Sequence, residues 1–188
     1  MENLKTLVLR KDYTPFSLFP LSCINARDAV TRVVAGSCEV ISSYDIKIQT
    51  PNHEMYWPSV IRSLDPKVKK QSGIPQLSSE ALYYRDHAEC AYCGKAFTIA
   101  EVTMDHMVPS SKGGITHWNN ILAACNDCNS RKGNSPATGK WTPRRLPYVP
   151  TVWDILKIRK NYPITVQHES WVPWLGDWPG GVTIRAAA

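Results

Sequence analysis

CAYCGKAFTIAEVTMDHMVPSSKGGITHWNNILAACNDCNSRKGN, residues 90 to 134, is the stretch whose reading decides the fold. It opens on Cys90-Ala-Tyr-Cys93 and nears its end with Cys125-Asn-Asp-Cys128, two C-x-x-C knuckles. Two residues between cysteines let both thiolates reach one face of a tight turn. Two such turns supply the four corners of a tetrahedral zinc site. Gly94 relieves the backbone where it turns sharply after the first knuckle. Four sulfur corners leave no open position, so this zinc is expected to be structural. The competing readings are a pair of disulfides or a redox C-x-x-C. A redox pair wants a single knuckle at a helix start in a thioredoxin-like unit, which is absent here. Disulfides belong to oxidising compartments, whereas Met1-Glu2-Asn3-Leu4-Lys5 has no signal-peptide pattern. No apolar run nears the roughly 18 residues of a membrane span. A soluble cytoplasmic protein is expected, with no membrane partner and its cysteines reduced or metal-bound. Cys23 and Cys38, outside the knuckles, are expected to behave as small buried hydrophobes.

The segment between the knuckles, residues 94 to 124, is longer than a plain zinc ribbon needs. A short strand should deliver Asp105-His106, and Pro109 with Gly113-Gly114 should make a long loop away from it. The chain returns through Asn119-Asn120 into Cys125. A short helix from about Asn126 to Lys132 then carries Asn129, with Arg131 and Lys132 at its end. Adjacent strand residues point to opposite faces. Asp105 and His106 can therefore serve one site only if the strand end bends or His106 lies on the turning loop, as Pro109 would allow. Taken singly, each residue has a bland reading: a surface dipeptide, a loop Asn120, a capping or turn Asn129. Their joint spacing inside a cysteine clasp is what sets them apart.

Asp105-His106, Asn120 and Asn129, nested between two knuckles, resemble the HNH (ββα-metal) endonuclease family in its bacterial and phage type, with Asn in place of the final His. The surrounding Val108-Pro109, Ser111, Gly113-Gly114 and Lys132-Gly133-Asn134 match that type as well. Leu7-Val8-Leu9 with Tyr13-Thr14-Pro15, and Pro58-Ser59-Val60-Ile61-Arg62, resemble the leader often found before such nuclease domains. The resemblance implies a divalent-metal-dependent DNA endonuclease. His106 would be the general base, and Asp105 and Asn129 would hold the catalytic cation. Asn120 would tie down the loop and orient His106. Lys132, Arg131, Lys112, Arg144 and Arg145 would be contacts to DNA.

The chemistry suits those residue types. Phosphodiester hydrolysis needs an activated water, a sink for phosphoryl charge and help for the departing 3′-oxygen. A neutral imidazole serves the first. A hard cation serves the other two, and carboxylate and amide oxygens suit Mg²⁺ or Mn²⁺. Had position 129 been His, softer metals would have been favoured. His117 reads as a loop residue within reach of DNA, and His53, His87 and His168 receive no role.

Outward from the clasp, the fold class is expected to be α+β: a zinc-clasped ββα-metal core over 80–136, a small mixed α/β subdomain over 1–64, a linker over 65–79, and a basic, Pro- and Trp-rich extension over 137–188. In the N-terminal part, Leu4 to Leu9 reads as a strand ended by Asp12-Tyr13-Thr14-Pro15. Asn25 reads as an N-cap for a helix with Ala26, Ala29, Val30, Val33 and Val34 at helical spacing, stopped by Gly36. Val40-Ile41, Ile46 to Ile48 and Ser59 to Arg62 read as strands, and no catalytic constellation lies among them. Lys67, Lys69 and Lys70 mark an exposed loop. After Pro136, a helix is expected over Val152 to Lys160, then Trp171, Trp174 and Trp178 packing the tail onto the body.

The excess of 22 Lys and Arg over 16 Asp and Glu gives a net charge of +6, which favours a polyanion partner. A non-catalytic zinc module that only binds nucleic acid would share the cysteines and the charge. It would have no use for Asp105, His106 and Asn129 together. An RNA nuclease or a secreted toxin would share the motif, but reduced cysteines disfavour secretion. One ββα-metal site cuts one strand at a time, so double-strand cleavage would take a homodimer, a larger nucleoprotein assembly or two visits.

Overall fold

The computed structural model describes residues 4–49, 54–66 and 73–185. Lys67, Lys69 and Lys70 lie outside the described residues, as does His53. The chain forms two compact units, one of Met1–Gln71 with Lys160–Ala188 and one of Ser72–Arg159. The described elements are α+β, and no helix among them is long and apolar enough to cross a membrane.

The first unit is built on a four-stranded sheet. Strand β1 (Lys5–Leu9) pairs antiparallel with β2 (Cys23–Asn25). Helix α1 (Ala26–Val34) follows, then β3 (Cys38–Ile48) and β4 (Met55–Ser63). The sheet order is β2-β1-β4-β3, with β4 parallel to β1 and antiparallel to β3. Leu7, Leu9, Val60 and Ile61 are fully buried, each removing apolar surface at about 2 kcal/mol. Val8, Ala29, Cys38 and Ile61 form a core cluster, with Ile24 and Val33 packed against it. Pro58 withholds one ladder donor from β4. Its carbonyl is used by Thr6 Oγ1 at 2.6 Å.

Four details differ from the sequence reading. The two short strands expected at Val40 and Ile46 are one strand, irregular in register between Val40 and Lys47. Asn25 gives α1 no side-chain cap, because its Oδ1 accepts from Lys5 Nζ at 2.8 Å. Val34 is 77% exposed at the helix end, beyond the sheet's reach. Cys38 is buried as expected, but Cys23 is exposed at the edge of the sheet on β2.

The second unit begins with α2 (Ser79–Arg85), capped by Ser78 Oγ, which accepts from Ala81 N at 3.1 Å. Strands β5 (Val102–His106) and β6 (Ile121–Cys125) form an antiparallel pair, and α3 (Asn126–Lys132) follows at once. Helix α4 (Val152–Arg159) buries Val152, Ile155 and Leu156. Ile121 to Ala124 are all buried, so β6 is the central element of this unit.

Residues 160–188 belong with the first unit, so the extension expected over 137–188 divides between the two. There β7 (Ile164–Val166) and β8 (Val182–Ile184) pair in parallel. Trp171, 3% exposed, donates from Nε1 to Ser59 O at 2.8 Å, which anchors this tail to β4. Trp178 is buried and donates to Tyr162 O, and Trp174 stacks on Tyr13.

Candidate active site

Asp105 and His106 end β5, opposite Leu122 and Ile121 of β6. Side chains alternate along a strand, so Asp105 shares a face with Thr103 while His106 turns to the other. Helix α3 meets the Thr103–Asp105 face. Asn129 Nδ2 donates to Thr103 Oγ1 at 2.9 Å, and Lys132 Nζ donates to Asp105 Oδ1 at 2.9 Å. Thr103 passes its own hydroxyl proton to Ala124 O at 2.7 Å. With Nδ2 held by Thr103, the end of Asn129 left for a ligand is its amide oxygen.

The Asp105 carboxylate is 4% exposed. Oδ1 accepts from Lys132 and Oδ2 from the Tyr92 hydroxyl, and each oxygen keeps a second lone pair. Burial, then the bond to Asp105, pushes the Tyr92 pKa far up, so this hydroxyl stays a donor. A carboxylate and an amide oxygen reached from one face of β5 are hard donors, a set that fits a magnesium-like cation.

His106 is half-buried, and its Nε2 lies 3.0 Å from Thr116 Oγ1 on the loop after β5. Its carbonyl accepts from Lys132 Nζ at 2.8 Å. Lys132 thus gathers both members of the Asp-His pair onto α3, while the imidazole faces the loop. Asn120 staples that loop. Its Oδ1 accepts from Val108 N at 2.9 Å, and its Nδ2 donates to Val108 O at 3.1 Å and Ile115 O at 2.9 Å. Gly114 is required beneath the staple, because a Cβ there would stand 1.7 Å from Val108 O.

The Sγ atoms of Cys90, Cys93, Cys125 and Cys128 all lie within 4.8 Å of one another. Cys93 and Cys125 are 3.9 Å apart. A tetrahedral ion with metal–sulfur bonds of about 2.3 Å sets its sulfurs about 3.8 Å apart, so the cluster has the dimensions of a zinc site. Burial opposes ionisation of Cys90, but hydrogen bonds from the knuckle backbone bring its pKa down to about 7. Burial and the neighbouring sulfurs push Cys128 far up. Thiolates so crowded ionise together only around a cation.

One expected DNA contact is corrected. Lys132 is 2% exposed, because its ammonium is held by Asp105 and the His106 carbonyl. Arg144 is exposed beside the first knuckle, where its Nη1 donates to Cys93 O at 3.3 Å and would lie 1.9 Å from a Cβ on Gly94. Lys112 and Arg131 are exposed, as is Arg145, which pairs at 3.2 Å with Glu89. Arg131 is 3.5 Å from Asp127. His117 is exposed on the loop.

Three residues with no role in the sequence reading matter here. Tyr92 and Thr116 touch Asp105 and His106 directly. Arg85, 2% exposed, donates to Trp118 O at 2.8 Å and Ile121 O at 2.7 Å and pairs with Asp86. It therefore anchors the entry to β6.

The buried Lys132–Asp105 pair yields a stability prediction. Lys132→Met should cost about 3–5 kcal/mol, because it leaves a buried carboxylate without its partner. Adding Asp105→Leu should recover most of that stability while leaving no cleavage. Chemical denaturation of the two variants checks both expectations, and a single variant as stable as the wild type would contradict them.

Residues 90–137 match the family model described as HNH endonuclease. Residues 6–65 match the one described as HNH endonuclease-associated, N-terminal domain. The CRISPR-associated endonuclease Cas9 of Corynebacterium diphtheriae is 43% identical over 53 residues, which cover 28% of this chain and 5% of that protein. The chain therefore corresponds to a small part of that relative's length. Clasp, strand pair, loop staple and helix all fall inside the first match, and all of the four-stranded sheet but Lys5 inside the second. Residues 90–137 are thus an HNH endonuclease domain, and residues 6–65 correspond to the N-terminal domain associated with such enzymes.

Proposed function

We propose that this chain hydrolyses phosphodiester bonds in DNA inside a bacterial or phage-infected cell, with His106 as general base and a Mg²⁺ or Mn²⁺ ion held by Asp105 and Asn129. The observation that carries this reading is the pair of hard oxygen donors, Asp105 and Asn129, brought to one face of β5 by Lys132 and Thr103. When bound, the cation supplies a sink for charge on the phosphoryl oxygens and eases departure of the 3′-oxygen.

The chain's own residues do the rest. Thr103 holds the Asn129 amide by its Nδ2, which leaves the amide oxygen for the cation. Lys132 and Tyr92 hold Asp105. Asn120 fixes the loop that carries Thr116, and Thr116 holds the His106 ring. His106 accepts a proton from the attacking water on a ring nitrogen, a step that contributes on the order of 10²–10⁴ in rate. Lys112, Arg131, Arg144 and Arg145 steer and seat the phosphate backbone, and zinc in the four-cysteine clasp holds the frame.

Zinc-loaded protein should convert supercoiled plasmid to nicked circles only when Mg²⁺ or Mn²⁺ is added, and Asn129→Ala should remove most of that activity without unfolding. Gel assays on plasmid, single-stranded DNA and RNA check this. Undiminished cutting in excess EDTA with zinc retained, or cutting of RNA alone, would contradict it.

A further inference from the structure

The two donors that hold the Asp105 carboxylate come from opposite halves of the cysteine clasp. Tyr92 lies inside the first knuckle, between Cys90 and Cys93. Lys132 ends α3, the helix that starts within the second knuckle. Each takes a different oxygen of Asp105. Carboxylate rotation about χ2 is broad, so a single donor would leave the plane of the group free to turn. One donor on each oxygen fixes that plane, and Asp105 is only 4% exposed. The Tyr92 ring is itself held edge-on by Trp141, at 5.7 Å and 81°. Backbone contacts set the knuckle against β6, with Ala91 N donating to Ala123 O at 2.8 Å. The position of the hydroxyl therefore follows from the clasp's own geometry.

We propose that Tyr92 and Lys132 are positioning residues, through which closure of the four-cysteine clasp sets the orientation of the Asp105 carboxylate and so the affinity of the site for its divalent cation. This rests on the reading that Asp105 holds that cation. The structural and catalytic metals are then linked through two hydrogen bonds to one carboxylate. The second knuckle also leads straight into α3, which presents the Asn129 ligand.

Tyr92→Phe tests the proposal with the least disturbance, because it removes one hydroxyl and keeps the ring against Trp141. Mn²⁺ binding is measured on zinc-loaded protein by the electron paramagnetic resonance signal of free Mn²⁺, alongside zinc content and melting temperature. Loss of an outer donor to a metal ligand costs about 10–100-fold in affinity. Tyr92→Phe is expected to weaken Mn²⁺ binding by about 10-fold, with one zinc retained and melting little changed. Asp105→Asn, measured in parallel, separates the two levels of the argument. If Asp105→Asn weakens Mn²⁺ binding strongly and Tyr92→Phe binds like the wild type, the positioning role is overturned while the cation site stands. If Asp105→Asn itself binds Mn²⁺ like the wild type, Asp105 does not hold the cation and both fall.

Discussion

Stripping the metal from the four-cysteine clasp is expected to unfold the Ser72–Arg159 unit and abolish cleavage together. The four sulfurs are drawn from two distant knuckles and lie within 4.8 Å. Backbone bonds such as Ala91 to Ala123 and Arg144 to Ala91 tie the first knuckle to its surroundings. Structural zinc contributes about 10–16 kcal/mol of apparent binding free energy, which is folding free energy when no preformed site survives unfolding. A domain typically has only about 5–15 kcal/mol of stability to lose. Thermal melts and zinc analysis before and after treatment with a thiol-reactive mercurial and chelator should show one melting transition disappearing as zinc is released. Added Mg²⁺ alone should not restore it. A fully folded, zinc-free protein would contradict this account of the clasp.

Much of the site was legible because short-range spacing controls it. A C-x-x-C pair constrains its own turn, and the knuckles bracket the strand and helix found at Val102–His106 and Asn126–Lys132. Asn120 was legible as a loop tie through the family resemblance, and three of the four hydrogen-bonding positions of its amide are spent on the loop backbone. What the sequence concealed depends on partners far along the chain. Lys132 read as a DNA contact and Arg85 drew no reading, yet both are buried, since one meets Asp105 and the other the carbonyls of Trp118 and Ile121. Tyr92 was visible only as a filler between two cysteines. In the first unit, β2 is three residues long and carries no alternation to betray it. The polar run Ser42-Ser43-Tyr44-Asp45 disguised the continuity of β3. The tail's attachment rests on Trp171 reaching Ser59, a contact 112 positions apart that no local pattern encodes.

His106→Ala should be the most damaging substitution for chemistry that leaves the fold in place. The ring meets Thr116 on an exposed loop, and the contact that joins residue 106 to the buried pair runs through its backbone carbonyl. Alanine keeps that carbonyl, so Lys132 and Asp105 should stay where they are. Zinc should stay as well, since the clasp uses cysteines alone. What is lost is the proton acceptor, worth about 10²–10⁴ in rate, with DNA affinity little altered. A merely structural histidine would instead lower stability together with activity, and a metal-binding histidine would be rescued by more metal. The measurement that separates these is single-turnover cleavage of a DNA duplex by the wild type and His106→Ala across pH and Mg²⁺ concentration. The account predicts a mutant slowed by about 10²–10⁴ at every Mg²⁺ level, without the wild type's rise in rate with pH. A mutant that regains near wild-type rates at high Mg²⁺, or that keeps the wild-type pH dependence, would show that His106 is not the base.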